Sequence, residues 1–325
     1  MREYAYFPMV RAIIGKQEWI ASMKQVPGLK FAVETYAASR IPGRYRREIS
    51  KIARKNGLDY IDVLLSNLAY EVAMVSLVAD KMPSITGLLA AIAAGSQRAT
   101  ECGLRPAGCT TVGKKEAGKP PEFWRNLDWP DPDGLLGRDT RELKMGGGVT
   151  SIGFSGFRGV LTGSNGNFAA AINAVFVEDD CGLVLGEPPV FVLRRALEEK
   201  NMLRSMEILK TTRLICPVVF TVVTRSGHMM AIERSQTRFA IRKAEQVSPG
   251  VKAVVTTNDT RVLKSKGAKL PDDLGETSDR RYDNMVAGIQ AGSDQRQLMR
   301  EAEFGCTIHT AMSKLESGEP ALSVV

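Results

Sequence analysis

The chain has only two histidines, His228 and His309, so a multi-histidine metal centre is excluded. Cysteine is also scarce. Cys102, Cys109, Cys181, Cys216 and Cys306 make five, an odd count, and none is spaced as CxxC. In a chain of 325 residues this argues against a disulfide framework and for a reducing compartment. Long apolar runs are missing. The most apolar stretch, residues 72–95, is interrupted by Asp80, Lys81 and Pro83, so no segment has the length to cross a bilayer as a helix. Arg2, Glu3, Arg11, Lys16 and Glu18 break up residues 1–20, which do not read as a signal peptide, and a cytoplasmic location is expected. There is no internal repeat and no low-complexity tract. No nucleic-acid motif accompanies the net charge of +8, and the basic residues are scattered, so the charge reads as a solvated basic surface. What is present is ordinary for a globular protein, at 44% apolar and 25% charged residues, with length enough for one large domain or two.

The first hundred or so residues pattern as helices. Phe31, Val33 and Tyr36 fit a strand, and Ile41-Pro42-Gly43 is a turn signal. Residues 44–56 are helical in period, with Tyr45, Ile49, Ile52 and Ala53 on one face and Gly57 suited to the C-terminal cap. A second helix starts near Asp59 and carries Ile61, Leu64, Leu65, Leu68 and Val72 on one face; residues 85–94 form a third, Ala-rich one. Past Gly108 short β-type runs take over, at 109–114, 149–154, 159–162 and 168–175, with turn chemistry at 130–134, 146–148 and 164–167. Helices follow at 189–199 and 202–212, then strands at 218–223, 229–234, 238–242 and 253–257. Residues 280–291 and 295–302 read as helices, and 307–312 with 321–325 as a closing hairpin. Consecutive strands are mostly joined as hairpins, which predicts an α+β protein with antiparallel sheets covered by helices.

Cys109 heads the first of these strands, and Arg125 and Asp128 fall where the next strand of a hairpin would run. A thiol of ordinary pKa, about 8.5, is mostly protonated at neutral pH and needs a base or a cation beside it to act as a nucleophile. His228 follows Ser226-Gly227 in a hairpin turn and His309 sits inside a strand, so each reads as structural, although a Cys–His pair is not excluded by counting. The other candidate base is an α-amine. If the chain is cut after Gly108, Cys109 carries both the nucleophile and its base, and the small Gly108 leaves room for the thiol to attack its own preceding carbonyl.

The ordered constellation resembles the cysteine N-terminal-nucleophile amidohydrolases of the acid ceramidase, N-acylethanolamine acid amidase and choloylglycine hydrolase group. Gly108-Cys109-Thr110-Thr111 looks like the self-cleavage site, with a Gly–Cys junction similar to that of penicillin acyltransferases. Arg125-Asn126-Leu127-Asp128 resembles the Arg-Asn-x-Asp that follows the nucleophile. Gly159-Val160-Leu161-Thr162-Gly163 and Ala171-Ile172-Asn173 resemble the next segments, Thr257-Asn258 a later pair, and Asp279-Arg280-Arg281 the Asp-Arg-Arg of ceramidases. Upstream, Asn67, Tyr70 and Glu71 look like the Asn-x-x-Tyr-Glu helix of the propeptide-derived subunit. Ala174 stands where ceramidases carry Glu, and Trp124 where the group usually carries Gly before its Arg.

The resemblance implies an Ntn-hydrolase αββα four-layer sandwich over residues 109–325, preceded by a helical propeptide-like segment or small subunit over 1–108. It implies roles as well. Cys109 is the nucleophile, its amine the base, and Gly108–Cys109 the cleaved bond. Asp128 orients the amine and Arg125 favours the thiolate. Asn173 (backbone or amide) and the Asn258 amide stabilise the oxyanion. Arg280 holds the carboxylate network or the substrate, with Arg281 as the alternative. The expected activity is hydrolysis of the linear amide of a small N-acyl compound, without metal or organic cofactor. The cleaved pieces would stay associated, with a homo-oligomer also open. An amine-accepting acyltransferase of the penicillin type is the alternative chemistry. A non-catalytic basic binding protein is the alternative of another class.

Overall fold

The computed structural model describes residues 10, 12, 14, 17–79, 88–102, 108–129, 131, 133–177, 185–263, 273–303, 307–316 and 322–324. Its chain begins with helices α1 (Glu18–Met23), α2 (Leu29–Arg40), α3 (Gly43–Asn56), α4 (Tyr60–Asn67), α5 (Ala69–Ala79) and α6 (Leu88–Glu101). Then come β1 (Gly108–Glu116), β2 (Glu122–Asp128), the short α7 (Leu135–Asp139), β3 (Arg141–Lys144), β4 (Thr150–Gly153), β5 (Thr162–Ser164) and β6 (Phe168–Ala174). Helices α8 (Pro189–Glu198) and α9 (Met202–Thr211) lead to β7 (Val218–Thr224), β8 (Met229–Arg234), β9 (Phe239–Lys243), β10 (Glu245–Ser248) and β11 (Val251–Thr256). The chain closes with α10 (Asp273–Gln290), α11 (Gln295–Glu301), β12 (Thr307–Lys314) and β13 (Ser323–Val324).

The strands form two antiparallel sheets. One has six strands in the order β10-β11-β1-β2-β12-β13, the other seven in the order β3 to β9. Their facing sides share an apolar core in which Phe123, Val254 and Ala311 meet Ala169, Ala171, Val219 and Val223. The approach is close at Gly113, where an added Cβ would lie 2.5 Å from Val223 Cγ2. On the outer side of the first sheet, Val112, Trp124 and Val255 pack with Met285, Ile289, Leu298 and Met299 of α10 and α11. The outer side of the second sheet, with Ala170, Ile172, Phe220 and Val222, joins a core shared with α8 and the N-terminal helices. The result is the four-layer αββα sandwich, with a helical region ahead of it.

Local chemistry explains most element ends. Gly57 closes α3 with φ 60°, the left-handed conformation that favours glycine. Asp59 caps α4 by accepting from the Ile61 N–H. The helix expected from Asp59 onward is divided at Leu68, so that Asn67 ends α4 and Tyr70 and Glu71 start α5. The strand expected around Phe31, Val33 and Tyr36 is instead α2. Leu29, Ala32, Val33, Tyr36 and Ala37 are buried at helical spacing, while Phe31 is 68% exposed. The strand expected at 159–162 begins only at Thr162, because Gly159 and Val160 lie against α8, where Val160 N donates to Val190 O at 3.0 Å. The short, polar edge strands β3 and β10 carry too little alternation to be read from sequence. The closing hairpin forms, with Ala311 opposite Val324; residues 85–87 and 321, together with Cys181 and Cys306, lie outside the described residues. No helix among the described residues is long and apolar enough to cross a membrane.

Candidate active site

The strand pattern puts Cys109 at the centre of the molecule. β1 lies between β11 and β2 in the middle of its sheet, and Cys109 is opposite Leu127, with His309 on the far side of Leu127. Alternation along the strand turns Cys109, Thr111 and Arg125 toward the second sheet and Thr110, Asn126 and Asp128 toward the covering helices. Cys109 is fully buried. Its Sγ lies 3.7 Å from Ile172 O, and Arg125 Nη2 lies 3.1 Å from Sγ and 2.9 Å from the same carbonyl. The Ala174 N–H also reaches the sulfur. Burial pushes the thiol pKa up, while the Arg125 charge draws it down and Asp128 opposes that.

The main chain of Cys109 is held from its other side. Its N–H donates to Asn258 Oδ1 at 3.0 Å. Arg281 donates from Nη1 to Cys109 O (2.7 Å) and Thr110 Oγ1 (2.9 Å), and from Nη2 to Asn258 Oδ1 (2.7 Å). Arg280, one residue earlier on α10, is exposed. Adjacent helical residues point about 100° apart, so with Arg281 turned to the head of β1, Arg280 is turned away from it. Arg280 and Arg281 both line a cavity of about 310 Å³ between α10 and α11, together with Thr277, Glu301 and Glu303.

Asp128 stands opposite Gly108 across the β1–β2 pair. Thr307 donates to its Oδ1, and its Oδ2 is buried with no hydrogen-bond partner among the described residues. Burial pushes this carboxyl up, against the pull of the Thr307 hydrogen bond and of Arg281 and Arg125. The two asparagines are placed differently from each other. Asn173 bridges the sheets, donating from Nδ2 to Thr256 O and Thr257 O (3.2 and 3.0 Å) and accepting from Thr111 Oγ1 at 2.7 Å. Its side chain is committed to that brace, and the following residue's backbone N–H is what faces the sulfur. Asn258 offers its oxygen to Cys109 N, while its amide donates to Ala174 O at 2.9 Å. Both side-chain amides thus donate to backbone carbonyls, Asn173 to Thr256 and Thr257 and Asn258 to Ala174.

Several contributors were not legible as site residues. Ser278 Oγ accepts from Asn258 N at 2.9 Å. Glu233, from β8, accepts on Oε2 from the N–H groups of Arg261, Val262 and Leu263 (3.0, 2.8 and 2.7 Å), fixing the loop that follows Asn258. A carboxylate directly following the apolar run Met229-Met230-Ala231-Ile232 was the available signal for Glu233; nothing singled out Ser278. His309 is buried, both ring nitrogens lack partners among the described residues, and burial with the nearby Arg125 charge holds its pKa down at about 3. His228 lies in the β7–β8 turn, where its N–H is bonded to Thr224 Oγ1. Among the described residues no group of three or more His, Cys, Asp or Glu side chains is placed to hold a metal ion.

The upstream Asn67 and Glu71 bond to segments beyond β4. Asn67 donates to Gly156 O (3.0 Å) and accepts from Arg158 N. Glu71 accepts from Val190 N at the start of α8 (3.3 Å), and burial pushes its carboxyl up to about 8.

No family model and no curated protein matches the sequence. Among solved structures the fold comparison gives a different outcome. Two variants of the conjugated bile acid hydrolase from Clostridium perfringens align with 67% of this chain and 92% of theirs, at 12% and 10% identity and TM-scores of 0.42 and 0.40. Penicillin V acylase from Agrobacterium tumefaciens aligns over 66% of this chain and 84% of its own, at 13% identity and a TM-score of 0.38.

Proposed function

We propose that this chain is a cysteine amidase that activates itself by cutting its own Gly108–Cys109 bond and then hydrolyses a linear N-acyl amide. The observation that carries the reading is the Arg125 guanidinium 3.1 Å from the buried Cys109 sulfur, near the head of a strand where the Cys109 N–H is already held by Asn258. Burial raises the thiol pKa, and the Arg125 charge is the main effect that opposes it, favouring the thiolate as a nucleophile requires. The ordered motifs from Asn67 to Arg281 support the same reading.

In the first reaction Cys109 Sγ adds to the Gly108 carbonyl carbon. The C–N bond breaks, a thioester forms, and the thiol proton ends on the released amine. Water then cleaves the thioester, leaving the Gly108 carboxylate and a Cys109 with free thiol and α-amine. In the second reaction the amine takes the thiol proton as Sγ attacks the substrate carbonyl. The leaving amine departs with that proton, and water hydrolyses the acyl-enzyme. Asn258 Oδ1, which accepts from the Cys109 N–H in the uncut chain, and Asp128, opposite Gly108, are the acceptors for the new amine. Breaking the peptide bond also frees the first residue to shift, which opens Asn258 Nδ2 and the Ala174 N–H to the developing oxyanion.

Denaturing mass spectrometry of the purified protein tests this. The expected result is a piece ending at Gly108 and a piece beginning at Cys109, with Cys109→Ala remaining whole. A wild-type chain that stays whole while hydrolysing amides would overturn the self-cleavage step, and a whole, inactive chain the entire reading. Product analysis with and without an added amine separates hydrolysis from acyl transfer.

A further inference from the structure

Basic residues are spread along the sequence, yet folding gathers many of them on one helix. Residues 44–55 hold six basic side chains and one carboxylate, more than half of the excess that gives the chain its net charge of +8. They lie on α3, and the helix sorts them. At about 100° per residue, Arg44, Arg47, Lys51, Arg54 and Lys55 fall within an arc of about 100°, along a rise of about 17 Å. All five are exposed. Tyr45, Ile49, Ile52 and Ala53 lie on the other side of the helix and are buried.

The carboxylate within α3 does not cancel this stripe. Glu48 is turned to the buried Arg194, whose Nη1 and Nη2 donate to it at 2.7 and 2.8 Å. Arg44, at one end, pairs with Glu198. Arg46 lies off the stripe, its Nε donating to Ile41 O at 3.1 Å. The helix is also fixed in rotation. Tyr45 stacks on Phe191 of α8 with ring centroids 5.5 Å apart, and its hydroxyl donates to Glu198 at 2.6 Å. With its apolar side committed to the core, α3 offers a partner charge rather than an apolar face to insert.

We propose that the outer side of α3 is a docking surface for the headgroups of an anionic lipid bilayer, held by charge and without insertion. A straight stripe of basic side chains on a rigid helix matches a plane of negative headgroups, which attracts each Lys or Arg brought near it. Single-stranded nucleic acid fits this face less well. It is held by bases stacked on aromatic rings, and the one aromatic side chain of α3, Tyr45, is buried. The inference stands apart from the amidase reading, and a chain docked in this way would meet acyl amides where they partition.

Co-sedimentation of the full chain with vesicles tests it, using neutral phosphatidylcholine and a mixture in which about one lipid in three is phosphatidylserine. The chain should bind the anionic vesicles at about 0.1 M salt and leave them at about 1 M, where the screening length falls from about 10 Å to about 3 Å. It should leave the neutral vesicles alone. Arg47→Gln/Arg54→Gln should weaken binding about 25-fold, about fivefold for each charge removed, with the wild-type melting temperature. Arg296→Gln/Arg300→Gln on α11 changes the net charge equally at exposed positions and should bind as wild type. Equal binding to both kinds of vesicle, or equal loss in the two double variants, overturns the inference. So does a short DNA duplex that binds the chain more tightly than the vesicles at the same salt and is lost with Arg47 and Arg54, which would make α3 a nucleic-acid face.

Discussion

Replacing Arg125 with Met should separate stability from chemistry. The guanidinium is completely buried, and its Nε and Nη1 have no partners among the described residues. Met has a similar length and carries no orphan donors, and exchanging a buried charge for an apolar side chain is often neutral or stabilising. Ile172 O keeps its contact with the Cys109 thiol. The fold is therefore expected to hold, with an unchanged or higher urea midpoint. The thiolate, however, loses its cation. A unit charge 3.1 Å from the sulfur is worth about 5 kcal/mol at an effective dielectric of 20. Spreading that charge over the guanidinium leaves roughly half, or about a 100-fold loss of thiolate at a given pH. The assay is self-cleavage of freshly synthesised chain, followed by denaturing mass spectrometry between pH 6 and 9. Arg125→Met should cut about 100 times more slowly at pH 7 and recover part of the rate as pH rises. A variant that cuts at the wild-type rate with a superimposable pH profile would refute the role of the cation. A variant that fails to fold would refute the energetic argument about its burial.

Arg281→Lys keeps the charge but loses the fork that holds Cys109 O, Thr110 and Asn258. Self-cleavage should fall at least about 10-fold and the urea midpoint should drop, whereas the exposed Arg280→Ala should leave stability within about 0.5 kcal/mol and cleavage unchanged. Glu233→Gln removes the charge that gathers three backbone N–H groups after Asn258 and should cost about 2–3 kcal/mol in urea unfolding together with slower turnover; wild-type behaviour in both would show that the loop is fixed by other contacts. Glu71 gives a pH test. Its carboxyl is held at about 8 in the fold against 4.5 ordinarily, so the fold binds a proton that the unfolded chain releases, and stability falls as pH rises from about 4.5 through about 8. Glu71→Gln should flatten that slope and be the more stable form at pH 8, as read from urea midpoints at pH 5 and 8; parallel curves would refute the neutral carboxyl. His309 acts with the opposite sign: held at about 3, it costs stability as pH falls below its ordinary range, and His309→Asn should soften the acid limb of the same curve.

The layered fold was legible because hairpin-linked strands and amphipathic helices each declare themselves within a few residues. Cys109, Arg125, Asp128 and Asn258 could be named because they sit in short motifs, and the structure brings all four to the head of β1. What a motif could not supply was direction. Whether Arg280 or Arg281 faces the strand depends on a rotation of α10 fixed by Met285 and Ile289 in the core. Asn173 and Asn258 looked equivalent as amides, yet one is used up between the sheets and the other turns its oxygen toward Cys109. Residues 31 and 33 fit period two over a window too short to refuse it, and only the positions at 29, 32, 36 and 37 reveal the helix.

The anchors that cross from the helical region deserve one more consequence. Asn67 and Glu71 fasten it to Gly156, Arg158 and Val190, and Tyr36 Oη donates to Gly186 O at 2.9 Å. While the chain is whole, these contacts form within one molecule. If the proposed cut at Gly108–Cys109 is made, the same contacts would join two molecules, and recovery from unfolding would become a second-order event that slows on dilution. The active form would then persist through a slow rate of opening rather than an equilibrium it can revisit, so its working life would be counted in unfolding events: each chain folds as one and, after cutting, has no equivalent way back.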